Sequence, residues 1–220
     1  MVSTKEKLIF LMPPKTASNS LKECLLDSSL TIEPFNLPYR IPTIHLYLSE
    51  LVGYYKIQDI ENYKVIQVVR DPITRFVSSY FHQLRITNNN DSVKINDMNL
   101  SEFTNHLYTC LTKEGNFLKN FFGDIEFIKK SIMSGKSFGG SRTYLNQHQW
   151  NDLGVDMTYV KLEDITDDIS LLSKEVGVYL PDLEKKNENK TIVDYNTLVT
   201  DDIRKTLKEI YRKDFKILGY

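Results

Sequence analysis

Three stretches read as short apolar strands of the kind buried on both faces of a parallel sheet: Leu8 to Met12, Val65 to Val69 and Met157 to Leu162. A helix signal follows each of them. After the first, PPKTASNS leads into Leu21, Leu25 and Leu26 at helical spacing. After the second, Asp71 and Pro72 supply good N-cap and N1 residues, and Ile73, Phe76, Val77, Tyr80 and Leu84 then form one apolar stripe. The same spacing predicts that Arg75, Ser78, Ser79 and His82 share the opposite, polar face. The third strand passes through Glu163 and Asp164 into Ile169, Leu172 and Val176. Strand, turn and helix in repetition predict an α/β fold with a central parallel β-sheet flanked by helices.

Weaker elements lie between these units. Leu48, Leu51, Val52 and Tyr55 predict a helix after His45, and Phe103, Leu107 and Leu111 predict another, with Ser101 as its cap. The segments Asn88 to Ser92, Gly135 to Ser141 and Lys185 to Lys190 read as loops, none of them a domain linker. A last helix starts at Thr200, an N-cap candidate followed by two aspartates, with Ile203, Leu207, Ile210 and Tyr211 apolar and Arg204, Lys205, Lys208 and Arg212 outward. The expectation is a single domain over 1–220, in which about 85–150 is a variable helical and loop insertion.

Composition narrows the function classes. The 220 residues carry 28 Lys plus Arg against 29 Asp plus Glu, a formal net charge of -1. That balance argues against a nucleic-acid partner, because such binding runs on many released counterions and needs a basic excess. Cys24 and Cys110 lie far apart in predicted helices, which reads as buried free thiols in a reducing compartment. The apolar run before Pro13 and Pro14 is too short for a signal peptide or a transmembrane span, so a cytoplasmic protein, or a catalytic domain without its anchor, is expected. The four histidines, His45, His82, His106 and His148, form no short pairs and no CxxC occurs, so no metal site is expected.

In an open parallel sheet, ligands bind beyond the carboxyl ends of the strands. After the first strand come Lys15, Thr16, Ala17, Ser18, Asn19 and Ser20, small and hydroxylated residues with one lysine at a helix N-terminus. Backbone N–H groups, the positive end of the helix dipole and an ammonium make an anion cradle there. It is not a Walker A loop, since GxxxxGK[ST] is absent; Gly135, Lys136 and Ser137 fail that pattern too, because Lys130 holds the first glycine position. After the second strand, Arg70 and Ser78 offer a guanidinium fork and a hydroxyl to a second anion. Two separated anion sites imply a ligand with two separated phosphates.

PPKTASNSL and VVRDPITRFVSSYF together resemble the sulfotransferase superfamily that uses 3'-phosphoadenosine 5'-phosphosulfate (PAPS), particularly its carbohydrate-type members. Their first loop reads close to PKTGSTSL and their second motif close to VRDPxxRxxSxY. YVKLEDI at Tyr159 to Ile165 and IYRKDFKILGY at the C-terminus extend the similarity, while Arg85 to Trp150 match only loosely. The resemblance implies a P-loop NTPase-like sulfotransferase fold, with Lys15 to Ser20 on the 5'-phosphosulfate and Arg70 and Ser78 on the 3'-phosphate. Ala17 stands where the family often has glycine, and Asn19 where a small or hydroxyl residue is common. It also implies in-line transfer of a sulfuryl group to a hydroxyl of a carbohydrate or similar acceptor.

Lys15 is the residue expected to meet the charge growing on the departing oxygen. A sulfuryl group carries less charge than a terminal phosphoryl group, so lysine and helix amides are expected to suffice without metal. His45 is the expected general base, since imidazole titrates near neutral pH and related enzymes often place a histidine or glutamate between the two phosphate motifs. His82, one turn beyond Ser78, is the rival; His106 and His148 read as structural or exposed. Arg142, Gln147 and Trp150 are candidates to close over adenine or acceptor, with a core position for Trp150 as the alternative, and Glu163 reads as a hydrogen-bonding residue at a strand end. Two other readings remain: a P-loop-type kinase using ATP, opposed by the missing glycines, and a nucleotide-binding module without turnover.

Overall fold

The computed structural model describes residues 1–34, 45–87, 98–113, 144–183 and 195–220. The predicted loops at Asn88 to Ser92, Gly135 to Ser141 and Lys185 to Lys190, and Arg142, lie outside the described residues. The chain divides into two compact units: 1–38, 42–71 and 147–190 form one, and 39–41, 72–146 and 191–220 form the other.

The first unit is built on a four-stranded sheet: β1 (Val2–Ser3), β2 (Leu8–Leu11), β3 (Lys64–Val69) and β4 (Met157–Lys161), hydrogen-bonded in that order. β1 pairs antiparallel with β2, whereas β2, β3 and β4 are parallel, with Leu11 opposite Gln67 and Val69 opposite Lys161. The three parallel strands stand where the apolar runs predicted them. The antiparallel β1 has two residues and leaves no periodic signal.

Alternation along the strands assigns the two faces. Leu8, Phe10 and Met12, with Ile66, Val68 and Val160, point into a core shared with Leu21, Cys24 and Leu25 of α1 (Ser18–Leu26). The two short helices after β4, Leu162–Asp167 and Ser170–Val176, complete that core with Ile165, Leu172 and Val176. Each fully buried leucine here contributes about 1.5–3 kcal/mol relative to exposure, which is why α1 is held to the sheet although no side chain caps its N-terminus. Cys24 is a free, buried thiol whose Sγ donates to the Pro181 carbonyl at 3.2 Å. The opposite face carries Ile9, Leu11, Val65, Gln67 and Val69, all buried. Helix α2 (Leu48–Tyr55) belongs to the same unit, its start fixed by Glu50, which accepts the Tyr47 N–H at 2.8 Å.

The second unit is helical among its described residues. α3 (Pro72–Thr87), α4 (Leu100–Lys113) and Asp201–Ile210 enclose a core of Ile73, Phe76, Val77, Tyr80, Phe103, Leu107, Tyr144, Ile203, Leu207 and Tyr211. Thr200 caps Asp201–Ile210 as predicted, accepting the Ile203 N–H. The cap of α4 is Asn99 rather than Ser101: its Oδ1 accepts the Glu102 N–H at 3.0 Å, and Glu102 returns the contact to the Asn99 N–H at 2.9 Å. A second correction concerns α3. Arg75 and Ser79 are fully buried instead of lying on a polar face. Both Nη atoms of Arg75 donate to the Leu145 carbonyl at 3.0 Å, and Ser79 Oγ donates to the Arg75 carbonyl at 2.8 Å. The guanidinium pays for its burial by satisfying a carbonyl that helical spacing could not foresee.

Candidate functional site

The site grows from the carboxyl ends of β2 and β3, and every contact described for it lies in the first unit. Beyond β2 the chain turns sharply through two left-handed residues, Lys15 at φ 70° and Ala17 at φ 54°. Neither is glycine, so each carries steric cost from its Cβ. Between them Thr16 is fully buried, and its hydroxyl donates to the Pro13 carbonyl at 2.7 Å, closing the turn on itself. Ala17 occupies the N-cap of α1 and has no side-chain atom that can accept an N–H. Ser18 and Ser20 are buried in the first turn of α1, Asn19 is exposed and Lys15 is half-buried. A helix start with no side-chain cap, preceded by an ammonium, fits a phosphate-bearing group.

His45 is joined to the same strand end. Its Nδ1 lies 2.8 Å from the Met12 carbonyl oxygen. A carbonyl has no proton to give, so the proton in that contact sits on Nδ1 and the lone pair of neutral His45 sits on Nε2. Its neighbours hold this segment in place. Tyr47 packs on the Trp150 ring with centroids 5.2 Å apart, and the Ser49 N–H donates to Asp152 Oδ1 at 2.9 Å, with the Ser49 hydroxyl also bonded to that carboxylate.

Arg70 follows β3 and reaches back to the first loop, Nη1 donating to the Lys15 carbonyl at 3.3 Å. Its backbone is held by a side chain. Gln147 Oε1 accepts the Arg70 N–H at 2.9 Å and Gln147 Nε2 donates to the Arg70 carbonyl at 2.7 Å. The next N–H, of Asp71, donates to Glu163 Oε1 at 2.8 Å, the strand-end hydrogen-bonding role expected of that glutamate. Gln147 and Trp150 are both fully buried, so neither is a mobile cover. Among the described residues no group of three or more His, Cys, Asp and Glu side chains is gathered as it would be around a metal ion.

Of the sequence-predicted residues, Lys15 to Ser20, His45 and Arg70 therefore come together at neighbouring strand ends. Ser78 and His82 are half-buried on α3, and His106 is half-buried on α4, all in the second unit; His148 is half-buried in the first. Sequence reasoning missed the Met12 carbonyl, which no side-chain pattern marks, and the role of Gln147, whose partners are backbone atoms.

A mostly parallel sheet flanked by helices, with an uncapped, lysine-bearing turn between β2 and α1, is an α/β architecture of the kind that places ligands at its strand ends. The chain matches the model of the sulfotransferase family over residues 1–220, and it belongs to that family. It is a sulfotransferase, an enzyme acting between a sulfate donor and a hydroxyl acceptor. No protein with a curated description matches the chain. Among the described residues no helix is long and apolar enough to cross a membrane.

Proposed function

We propose that this sulfotransferase takes its sulfuryl group from PAPS and delivers it, in line, to a hydroxyl of a carbohydrate or similar acceptor, with 1–220 serving as one catalytic domain. The observation that carries the mechanism is the His45 contact: Nδ1 is pinned to the Met12 carbonyl, three residues before Lys15. Bound at this site, the nucleotide supplies the sulfuryl group and a phosphate as leaving group.

The residues divide the remaining work. The Lys15 ammonium and the amides at the start of α1 offset the negative charge that grows on the leaving oxygen. His45 Nε2 takes the acceptor's hydroxyl proton, and the Met12 carbonyl keeps the ring oriented and steadies the imidazolium that forms. Arg70 holds the 3'-phosphate through its guanidinium, with Ser78 as a second donor on the strength of the shared motif. Because a sulfuryl group carries little charge, these cations suffice and the reaction needs no divalent ion.

Transfer from labelled PAPS to a panel of sugars, with a chelator present, tests this reading. Wild type should transfer, whereas Lys15→Ala and His45→Ala should each fall at least about a hundredfold, the range typical of removing one acid–base or oxyanion group. His45→Ala should bind adenosine 3',5'-bisphosphate as wild type does. Turnover that survives His45→Ala removes the base assignment, and binding of ATP that requires magnesium would replace the sulfate donor by a phosphate one.

A further inference from the structure

We infer that Gln147 is a positioning residue whose carboxamide sets the direction of the Arg70 guanidinium, and with it the enzyme's preference for a nucleotide bearing a 3'-phosphate. The inference rests on the proposed role of Arg70.

Arg70 stands one residue past the last β3–β4 pair, Val69 with Lys161. At that point the ladder ends, and the part-buried Arg70 N–H and C=O need partners that no strand supplies, each at a cost comparable to a hydrogen bond if unmet. The Gln147 carboxamide takes both, accepting from the N–H at 2.9 Å and donating to the carbonyl at 2.7 Å, as a neighbouring strand would. A primary amide is the side-chain group that carries donor and acceptor side by side in the spacing of a peptide.

Gln147 is itself anchored. It is fully buried, and its own carbonyl accepts from Nε2 of the fully buried Gln67 at 2.7 Å. Gln67 sits on β3 three residues before Arg70, so the clamp and the residue it holds are braced on one strand. Glu163 fixes the following N–H, that of Asp71. The chain then enters α3 at Pro72, which has no N–H to satisfy. Each backbone polar group from the Arg70 N–H to the Asp71 N–H is thus held by a side chain, and the guanidinium leaves from a fixed base. That matters because a planar fork recognises phosphate oxygens only within about 0.5 Å and 10–20° of its productive pose.

The experiment compares affinities for adenosine 3',5'-bisphosphate and adenosine 5'-monophosphate by calorimetry, in wild type, Arg70→Ala, Gln147→Met and Gln147→Glu, each at a temperature well below its own unfolding midpoint. Wild type should favour the bisphosphate, and Arg70→Ala should erase most of that preference. Gln147→Met, which keeps length and volume but neither hydrogen bond, should cut the preference about tenfold while 5'-monophosphate affinity stays within about twofold, as expected when a fork is misdirected rather than removed. Should the methionine variant not fold, Gln147→Glu retains the acceptor for the Arg70 N–H and opposes the carbonyl, and it should lower the ratio in the same sense. A general loss of stability would weaken both ligands alike and leave the ratio unchanged, and an unchanged ratio in folded variants overturns the inference. If wild type shows no preference, or Arg70→Ala keeps it, the nucleotide reading itself fails and this inference falls with it.

Discussion

Replacing Ala17 by glycine should make the protein more stable. Ala17 is held at φ 54° and ψ 30°, where an L-residue with a Cβ costs about 1–2 kcal/mol. Glycine removes that cost and adds about 0.5–1 kcal/mol of backbone entropy to be lost on folding. No cap is forfeited, since the alanine side chain makes no cap hydrogen bond. The net gain is therefore about 0–1.5 kcal/mol, centred on about 0.7 kcal/mol, which is about 1–3 °C in melting temperature for a chain of this size. Gly154→Ala supplies the mirror measurement. Gly154 lies at φ 67°, and a Cβ built there meets nothing within 4 Å, so only the backbone term changes and stability should drop by a similar amount. Reversible urea unfolding of both variants reads the two shifts. An Ala17→Gly midpoint below wild type, alongside the expected loss in Gly154→Ala, would refute the strain assigned to the turn.

Two further outcomes follow from the buried groups. Arg75→Met should destabilise by about 2–4 kcal/mol, because the fully buried guanidinium and both its charge-assisted bonds to the Leu145 carbonyl are lost; a urea midpoint matching wild type would contradict that role. Burial pushes the Cys24 thiol up to about 11 from the usual 9.0, with Asp27 and Asp182 adding to the effect. At pH 8 iodoacetamide should therefore modify Cys24 far more slowly in the folded protein than in urea. The sign for stability is fixed by the same shift. The folded thiol holds its proton more tightly than the unfolded one, so its contribution is complete below pH 9 and is lost as pH rises towards 11, which unfolding curves collected across that range would show.

Much of the architecture was written in apolar spacing. β2, β3 and β4 and the stripe on α3 are dictated by runs that have to be buried, and burial is a local property of residue type. The failures share a cause: they turn on partners that lie far off in sequence or are backbone atoms. Helical spacing puts Arg75 opposite the apolar stripe, and nothing local says that the Leu145 carbonyl, 70 residues on, waits for it. Asn99 displaces Ser101 because capping depends on which residue leaves the helix geometry, and both are competent. At the site, Lys15, His45 and Arg70 announced themselves by chemistry. Gln147 stands out in the sequence only as a candidate cover over the ligand; its hold on the Arg70 backbone is hidden, because a glutamine that imitates a strand looks like any other polar residue after a loop. The left-handed turn was equally hidden, since Lys15 and Ala17 lack the glycine that normally marks it.

The bond from Arg70 to the Lys15 carbonyl reaches further than the two residues it joins. The Lys15 oxygen and the Thr16 N–H are opposite ends of one resonance-coupled peptide plane. A cation at the oxygen draws electron density along that plane and makes the N–H a stronger donor, as hydrogen bonds in a chain polarise one another. The guanidinium thus acts on the first loop by induction through a covalent bond as well as through its own field. If the loop after β2 holds the donor's 5'-phosphosulfate as proposed, it is tuned by a residue at the end of β3, and a neutral residue at position 70 should weaken even a ligand with a single phosphate.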